Sequence, residues 1–139
     1  MSSQANQEFL RSTLRKADLF MMKGSYGNAI TELLSANGIQ RSATNYKNLA
    51  KCNEGLDRIK DAMDNYDLAI EEAGKESNQQ ELKKEKNNLI AEINLEKGKL
   101  LVKQRQGEQA IACFTKAIDL LKDAKGESPF LAEVEGIFI

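Results

Sequence analysis

Residues 46–73 read YKNLAKCNEGLDRIKDAMDNYDLAIEEA, and apolar or small side chains recur there every three or four positions. That spacing lines up one face of a helix. Gly55 and Asp57 interrupt the pattern where a C-terminal glycine and an N-cap acid would stand. We therefore predict two helices, the first ending near Glu54 and the second starting near Arg58.

The small residues of this stretch predict how the two helices pack. Ala50, Ala62 and Ala69 have short side chains, so antiparallel helices can approach closely at these positions. The order of large and small positions resembles the tetratricopeptide repeat, a helix-turn-helix of about 34 residues. The residues on its signature places are Tyr46, Leu49, Ala50, Ala62, Tyr66 and Ala69. Asn53 departs from the pattern, because an aromatic residue is usual there.

Two further stretches carry the same signature. The first has Ala17, Phe20, Gly24, Tyr26, Ala29, Leu33 and Ala36, and the last has Gly98, Leu101, Ala110, Ile111, Phe114, Ala117 and Ile118. The equivalent alanines Ala29, Ala62 and Ala110 stand 33 and 48 residues apart. The resemblance implies an all-α fold, a right-handed solenoid of three helical hairpins. The repeats are expected at residues 9–42, 43–75 and 76–125 of a single domain spanning 1–139.

The third repeat is expected to have the longest helix. Residues 76–106 contain no proline and a single glycine, and their apolar residues keep helical spacing. At about 1.5 Å per residue this helix would be about 45 Å long. Its first half, ESNQQELKKEKNN, is polar nearly all round and is expected to project beyond the hairpins. Gly98 lies in its interior, where glycine costs about 1 kcal/mol relative to alanine, so we expect close packing there.

The two ends of the chain are expected to differ. Residues 1 to about 5 look like a loose terminus. Near the other end, Ser128 and Pro129 form an N-cap and first-turn pair that opens the apolar segment FLAEVEGIFI. We expect residues 128–139 to form a short helix that caps the last repeat. The alternative is that this tail occupies the chain's own groove or that of a partner. The ending in GIFI leaves open whether the chain is a domain of a longer protein.

Composition and charge favour a helical, water-soluble protein. The 139 residues are 41% hydrophobic and 29% charged, and 20 basic against 21 acidic residues give a net charge of −1. The net charge therefore provides no long-range electrostatic attraction to nucleic acid or to an anionic membrane. Apolar clusters are far shorter than the roughly 20 residues of a membrane span, and no secretory signal opens the chain. We expect a cytoplasmic protein.

The residues that usually carry catalysis are sparse. Histidine is absent, which excludes Ser-His and Cys-His pairs and the HExxH metal helix. Cys52 and Cys113 lack a CxxC partner and stand at helical packing positions, which suits reduced thiols in a core. No glycine-rich phosphate cradle is present. We expect no enzyme activity, no cofactor, no metal ion and no catalytic residue.

The resemblance implies a binding surface instead. In tetratricopeptide stacks the first helices of successive repeats line a concave groove that holds an extended peptide or a partner helix. Carried over by position, the groove residues of this chain are Arg11, Arg15, Lys47, Asn48, Lys51, Glu92, Glu96, Lys99 and Lys103, with Leu14, Asp18, Met22, Glu54, Leu95 and Val102 beside them. The competing interpretation is that these are ordinary solvated residues.

One subfamily grips the C-terminal carboxylates of heat-shock chaperones, and this chain does not fit it. Asn48 matches the third-helix asparagine of that clamp, but Leu14 and Asp18 replace its first Lys and Asn. Glu92 and Glu96 replace its last Lys and Arg. Like charges near 4 Å at an effective dielectric of 20 repel by roughly 4 kcal/mol, so we predict no binding of this type.

The sequence therefore favours a non-enzymatic interaction module, a co-chaperone-like adaptor or assembly scaffold that binds a peptide or helix of another protein. The alternative is a structural protein that self-associates through the long helix or the apolar tail. A monomer or a weak homo-oligomer is expected. We expect neither nucleic acid nor a membrane as a partner, because the charge is balanced, no membrane span is present and the aromatic residues stand at packing positions.

Overall fold

A computed structural model describes residues 3–75 and 80–123, together with residues 133, 136 and 137. Across these residues the chain forms six α-helices, and no strand occurs in them. The helices are α1 (Ser3–Met22), α2 (Tyr26–Ile39), α3 (Ala43–Gly55), α4 (Ile59–Gly74), α5 (Gln80–Lys103) and α6 (Gly107–Asp123). The predicted all-α class is confirmed for the described part of the chain.

Two helix boundaries differ from the prediction. Helix α1 begins at Ser3 and has 20 residues, so the expected loose terminus over residues 1–5 is wrong for the residues described there. No glycine or proline interrupts its first turns, and nothing else in that segment opposes helix. Helix α5 has 24 residues and is the longest described, as expected, but it ends at Lys103 instead of Gln106. Residues 76–79, predicted to open it, lie outside the described residues.

The chain divides into two compact units, Met1–Glu72 and Ala73–Ile139. In the first unit α2 packs against both α1 and α3. Their buried residues Ala17, Ala29, Leu33, Leu49 and Cys52 form one cluster, which Leu14, Phe20, Met21, Tyr26, Ile30 and Tyr46 flank. Helix α4 joins α3 through the Tyr66 hydroxyl, which donates to Glu54 Oε1 at 3.0 Å.

In the second unit α5 packs against α6. The buried side chains come from both helices and include Ile93, Leu95, Leu100, Leu101, Phe114 and Leu121. Asn94 is also buried, and its Nδ2 donates to the Ile90 carbonyl of the preceding turn at 2.9 Å. That bond gives this polar group a partner inside the core.

The turns after α1, α3 and α5 have the same backbone geometry. Gly24, Asp57 and Arg105 all have positive φ, at 75°, 59° and 59°. In each turn the next residue's N–H donates back to a helix carbonyl five positions earlier, at 2.8 to 2.9 Å. These are Schellman turns, which use the left-handed residue to satisfy the last carbonyls of a helix. They recur at the spacings of 33 and 48 residues found for the alanines.

This turn corrects the predicted role of Asp57. We expected its side chain to cap α4, but the residue instead occupies the left-handed position of the turn. Arg58 is the residue whose carbonyl accepts from Ala62 at 3.0 Å as α4 starts. The repeated turn therefore overrides the capping preference of aspartate.

Two glycines let an aromatic ring approach a helix backbone. A Cβ added at Gly98 of α5 would lie 2.4 Å from the Phe114 ring of α6. A Cβ added at Gly55, the last residue of α3, would lie 2.4 Å from the Tyr26 ring of α2. Both distances are too short for a real carbon contact, so only glycine fits without a shift. The predicted close packing at Gly98 is confirmed.

Candidate peptide-binding surface

The outward face of α1 carries four of the predicted positions. Arg11, Arg15, Asp18 and Met22 follow helical i, i+4, i+7 and i+11 spacing, and all four are exposed. Met22 is 84% exposed, an unusual value for a large apolar side chain. Thr13 and Ala17 occupy the opposite, buried face of the same helix. The α1 face therefore presents two guanidinium groups, a carboxylate and an apolar side chain together.

Helix α3 presents a second such face. Lys47, Asn48 and Lys51 are half-buried, whereas Leu49, Ala50 and Cys52 point into the core. Glu54 continues the stripe of Lys47 and Lys51 by one turn, and its carboxylate accepts the Tyr66 hydroxyl. The start of α3 is fixed by Ser42, whose Oγ accepts the Asn45 N–H at 3.0 Å. Such a cap is worth about 1 kcal/mol and helps to hold this face in place.

A hydrogen bond between two amides holds α3 against α2 in the same unit. Asn45 is 4% exposed, and its Nδ2 donates to Asn37 Oδ1 at 3.0 Å. A buried amide left without such a partner would cost about 1–3 kcal/mol. The pair therefore favours one relative position of the two helices, on which the placement of Lys47 and Lys51 depends.

In the second unit the predicted residues share one face of α5. Glu92, Glu96 and Lys99 are half-buried and Lys103 is exposed, again at i, i+4, i+7 and i+11 spacing. Lys99 Nζ donates to Glu133 Oε1 at 2.6 Å and lies 3.8 Å from Glu96 Oε1. The hydrogen bond to Glu133 and the nearby carboxylate charges raise the pKa of Lys99 despite partial desolvation.

Two of the apolar positions expected beside these residues belong to the core. Leu95 is 1% exposed, so its predicted place on an open groove is wrong. Leu14 is half-buried and packs against the cluster of the first unit. Val102 is 54% exposed, as expected for a surface position. The resemblance to the repeat alone could not tell a buried position from an exposed one, because an apolar residue one turn from a charged residue can lie on either face of a helix.

The two units differ in the charge of these faces. On α1 and α3, Arg11, Arg15, Lys47 and Lys51 outnumber Asp18 and Glu54. On α5, Glu92 and Glu96 balance Lys99 and Lys103. The faces of α1 and α3 in the first unit therefore carry a net positive charge, and the face of α5 in the second unit carries none.

Sequence reasoning missed Glu133 as a partner of this surface. It lies 34 residues after Lys99, in a segment read only for its apolar residues. The available signal was an acidic residue inside that apolar stretch. The predicted cap over residues 128–139 lies outside the described residues except at positions 133, 136 and 137, all of which are helical.

Burial raises the pKa of the Cys52 thiol to about 11, so it is protonated at neutral pH and a poor nucleophile. Among the described side chains, no three His, Cys, Asp or Glu residues come together as metal ligands would. Within the same ranges, none of the helices has the length and apolar character needed to cross a bilayer.

No family model matches the sequence, and no curated protein matches it significantly. Function is therefore inferred from the chain's own residues. Three helices, α1, α3 and α5, are each followed by the same Schellman turn and carry outward polar residues at the same helical spacing.

Proposed function

We propose that this chain is a tetratricopeptide-like solenoid and a non-enzymatic interaction module, which holds a peptide or helix of another protein on the first helices of its hairpins. The three equivalent turns at Gly24, Asp57 and Arg105 support the proposal most directly. A recurring turn at matching positions is what a repeat architecture requires, because each repeat is one supersecondary unit.

The outward faces of α1 and α3 are the main contact region in this proposal. Arg11 and Arg15 are exposed and make no ion pair with another described residue, so their guanidinium groups are available to a carboxylate. Met22 gives the same face an apolar contact point. A partner segment with acidic residues on one side and an apolar residue near one end fits this arrangement.

Charge reversal in the first unit tests the proposal. Affinity capture from a native extract is compared between the wild type and the double variant Lys47→Glu, Lys51→Glu. A second double variant, Arg11→Glu, Arg15→Glu, probes the exposed α1 face. The matched control is Lys16→Glu, Lys60→Glu, which changes the charge equally at exposed positions outside both faces.

We expect both test variants to lose a protein that the wild type and the control retain. The captured protein is then purified, and its affinity is measured at two salt concentrations, because contacts between exposed charges weaken as salt rises. Circular dichroism of each variant verifies that the fold is intact. Equal retention by all variants would place the partner site elsewhere and contradict the proposal.

Sedimentation velocity separates this proposal from self-association. An interaction module is expected to sediment as a monomer at all concentrations in the absence of partner. A sedimentation coefficient that rises with concentration would instead favour a self-assembling protein.

A further inference from the structure

One asparagine of this chain stands directly before a glycine. Residues 36–39 read ANGI, and Asn37 is the only asparagine in the sequence that glycine follows. In such a pair the glycine nitrogen can attack the carbonyl carbon of the asparagine side chain, because no Cβ on the glycine obstructs closure of the five-membered ring. The sequence alone therefore marks Asn37 as the asparagine of this chain most open to spontaneous deamidation.

The folded chain engages both reacting groups of this pair. Asn37 and Gly38 lie in the last turn of α2, which runs from Tyr26 to Ile39. In an α-helix each interior N–H is hydrogen-bonded to the carbonyl four residues earlier, so the helix engages the Gly38 nitrogen. Asn37 is half-buried, and its Oδ1 accepts from Asn45 Nδ2 at 3.0 Å. The attack therefore requires that this turn open first.

The last turn of α2 is also a weak part of the helix. Glycine is among the least favourable residues in a helix interior. Gly38 is exposed, and a Cβ added there would meet nothing within 4 Å, so no close packing compensates for the missing side chain. The next residue but one, Gln40, is already extended, and its N–H closes the helix by donating to the Ala36 carbonyl at 2.9 Å. Terminal turns with few buried contacts open locally while the rest of a chain stays folded.

We propose that Asn37 is a self-modification site, at which local opening of the last α2 turn lets the Gly38 nitrogen convert the side chain, and that the isoaspartate product separates α2 from α3. The nitrogen forms a bond to Asn37 Cγ, and the side-chain amide leaves as ammonia with the proton that Gly38 gives up. Water then opens the succinimide ring at one of its two carbonyls. Opening at Cγ gives aspartate, and opening at the backbone carbonyl gives isoaspartate.

The two products differ in what they do to the helix. Aspartate leaves the backbone unchanged and still offers an oxygen to Asn45 Nδ2. Isoaspartate adds a carbon to the main chain, so the helical bond from Gln40 to Ala36 loses its register, and its carboxylate is attached directly to the backbone. Asn45 is 4% exposed, and a buried amide without a partner is unfavourable. The isoaspartate form therefore loses the contact that holds α3 against α2.

Peptide mapping by mass spectrometry follows the reaction in the full chain at neutral pH. We expect Asn37 to deamidate faster than every other asparagine when the chain is unfolded in urea, and at least about tenfold more slowly when it is folded. Gly38→Ala adds a Cβ that meets no other group in the fold, and it should reduce the rate to that of the other asparagines in both states. Equal rates in the folded and unfolded chains, or no preference for Asn37 in urea, would overturn the proposal.

Removal of the amide partner tests whether the opening is local. Asn45→Ala should raise the rate at Asn37 in the folded chain about fivefold, the factor that corresponds to a typical net hydrogen bond. The matched control is Asn94→Ala, which removes an equally buried amide and its bond to Ile90 from the second unit. This control should leave the rate at Asn37 unchanged, and circular dichroism verifies the fold of both variants. An unchanged rate in Asn45→Ala, or an equal increase in the control, would contradict local opening at this turn.

Hydrogen exchange tests the consequence of the product. The isoaspartate form is separated by ion exchange and compared with an Asn37→Asp chain, which has the same charge and an unaltered backbone. We expect faster exchange of the Gln40 and Asn45 N–H groups, which donate to Ala36 and Ser42, only in the isoaspartate form. Equal protection of these groups in the two forms would overturn the proposed separation of α2 from α3. None of these measurements involves a partner, so their outcome is independent of the proposed function.

Discussion

The two units use the same glycine–aromatic contact in different surroundings. In the second unit Gly98 is inside α5, and Phe114 covers it with only 3% of its surface exposed. In the first unit Gly55 is at the exposed end of α3, and the half-buried Tyr26 covers it. A Cβ added at either glycine would lie 2.4 Å from the ring, but only Tyr26 has solvent to move into. The comparison teaches that burial of the ring, more than its distance, should set the effect of a substitution.

Removal of the rings should show the largest difference. Phe114→Ala is expected to lower the free energy of unfolding by about 3–5 kcal/mol, as for other buried aromatic residues. Tyr26→Ala should cost about 2 kcal/mol, because less of its surface leaves water on folding. Urea denaturation followed by circular dichroism measures both. If Tyr26→Ala lowers the free energy of unfolding as much as Phe114→Ala does, burial of the ring does not set the effect of a substitution.

Adding a Cβ at each glycine tests the same contact by crowding the ring instead of removing it. Overpacking a core costs about 1–3 kcal/mol, and alanine returns about 1 kcal/mol of helix propensity. We expect Gly98→Ala to lose about 2 kcal/mol net and Gly55→Ala to lose less than about 0.5 kcal/mol, since Tyr26 can rotate outward. Phe114→Leu in the Gly98→Ala chain should recover part of the loss in thermal denaturation. If Phe114→Leu recovers no stability, a clash with the Phe114 ring is not the cause of the loss in Gly98→Ala.

Alkaline pH should lower stability through Cys52 of the first unit. Cys52 of the first unit is 0% exposed, and its pKa is raised from 9.0 to about 11. Between these values the unfolded thiol loses its proton while the folded thiol keeps it, so stability present below pH 9 is lost as pH rises toward 11. The loss should reach about 1–2 kcal/mol by pH 10.5.

The control for this pH effect is Cys52→Ala, which should lack it. Cys113→Ala in the second unit should retain it, because Cys52 is unchanged. Denaturation at pH 7.5 and pH 10.5 measures the difference. If the wild type and Cys52→Ala lose equal stability between these pH values, another group is responsible.

The shared Schellman turn should give the smallest effect. Left-handed backbone is unfavourable for a long side chain and better tolerated by aspartate. Arg105→Gly in the second unit is therefore expected to stabilise the chain by about 0.5–1 kcal/mol, and Asp57→Gly in the first by less. Gly24→Ala should destabilise it by about 1 kcal/mol. Thermal denaturation in which Arg105→Gly lowers the melting temperature would contradict this ranking.

Helical periodicity was enough to predict the all-α class and the six described helices. Except at the start of α1, it identified their ends within a few residues, and the unusual glycine inside α5 pointed correctly to close packing at position 98. It could not identify Arg105 as left-handed, because no local preference places arginine there. The carbonyls at the end of α5 require that conformation, and this requirement is visible only in the hydrogen bonds of the turn.

The candidate surface was less predictable than the fold. Position within the repeat placed Arg11, Arg15 and Lys99 on outward faces, but it also placed Leu95 there, which is buried. Leu95 is part of the core of the second unit. Lys99, one turn later, instead contacts Glu133, 34 residues away. Periodicity carries no information about a contact over that separation. Whether these faces bind a partner stays a prediction.

The extra length of α5 has a consequence for how the chain tolerates insertions. Helix α5 has 24 residues and α3 has 13, a difference of 11. At 3.6 residues per turn, 11 residues make just over three whole turns, so the surplus leaves the angular phase of the later residues nearly unchanged. Deleting or duplicating whole turns near exposed Lys83–Glu85 should therefore preserve the direction of every side chain from Glu92 onward. A protein engineer could use this segment as an adjustable spacer.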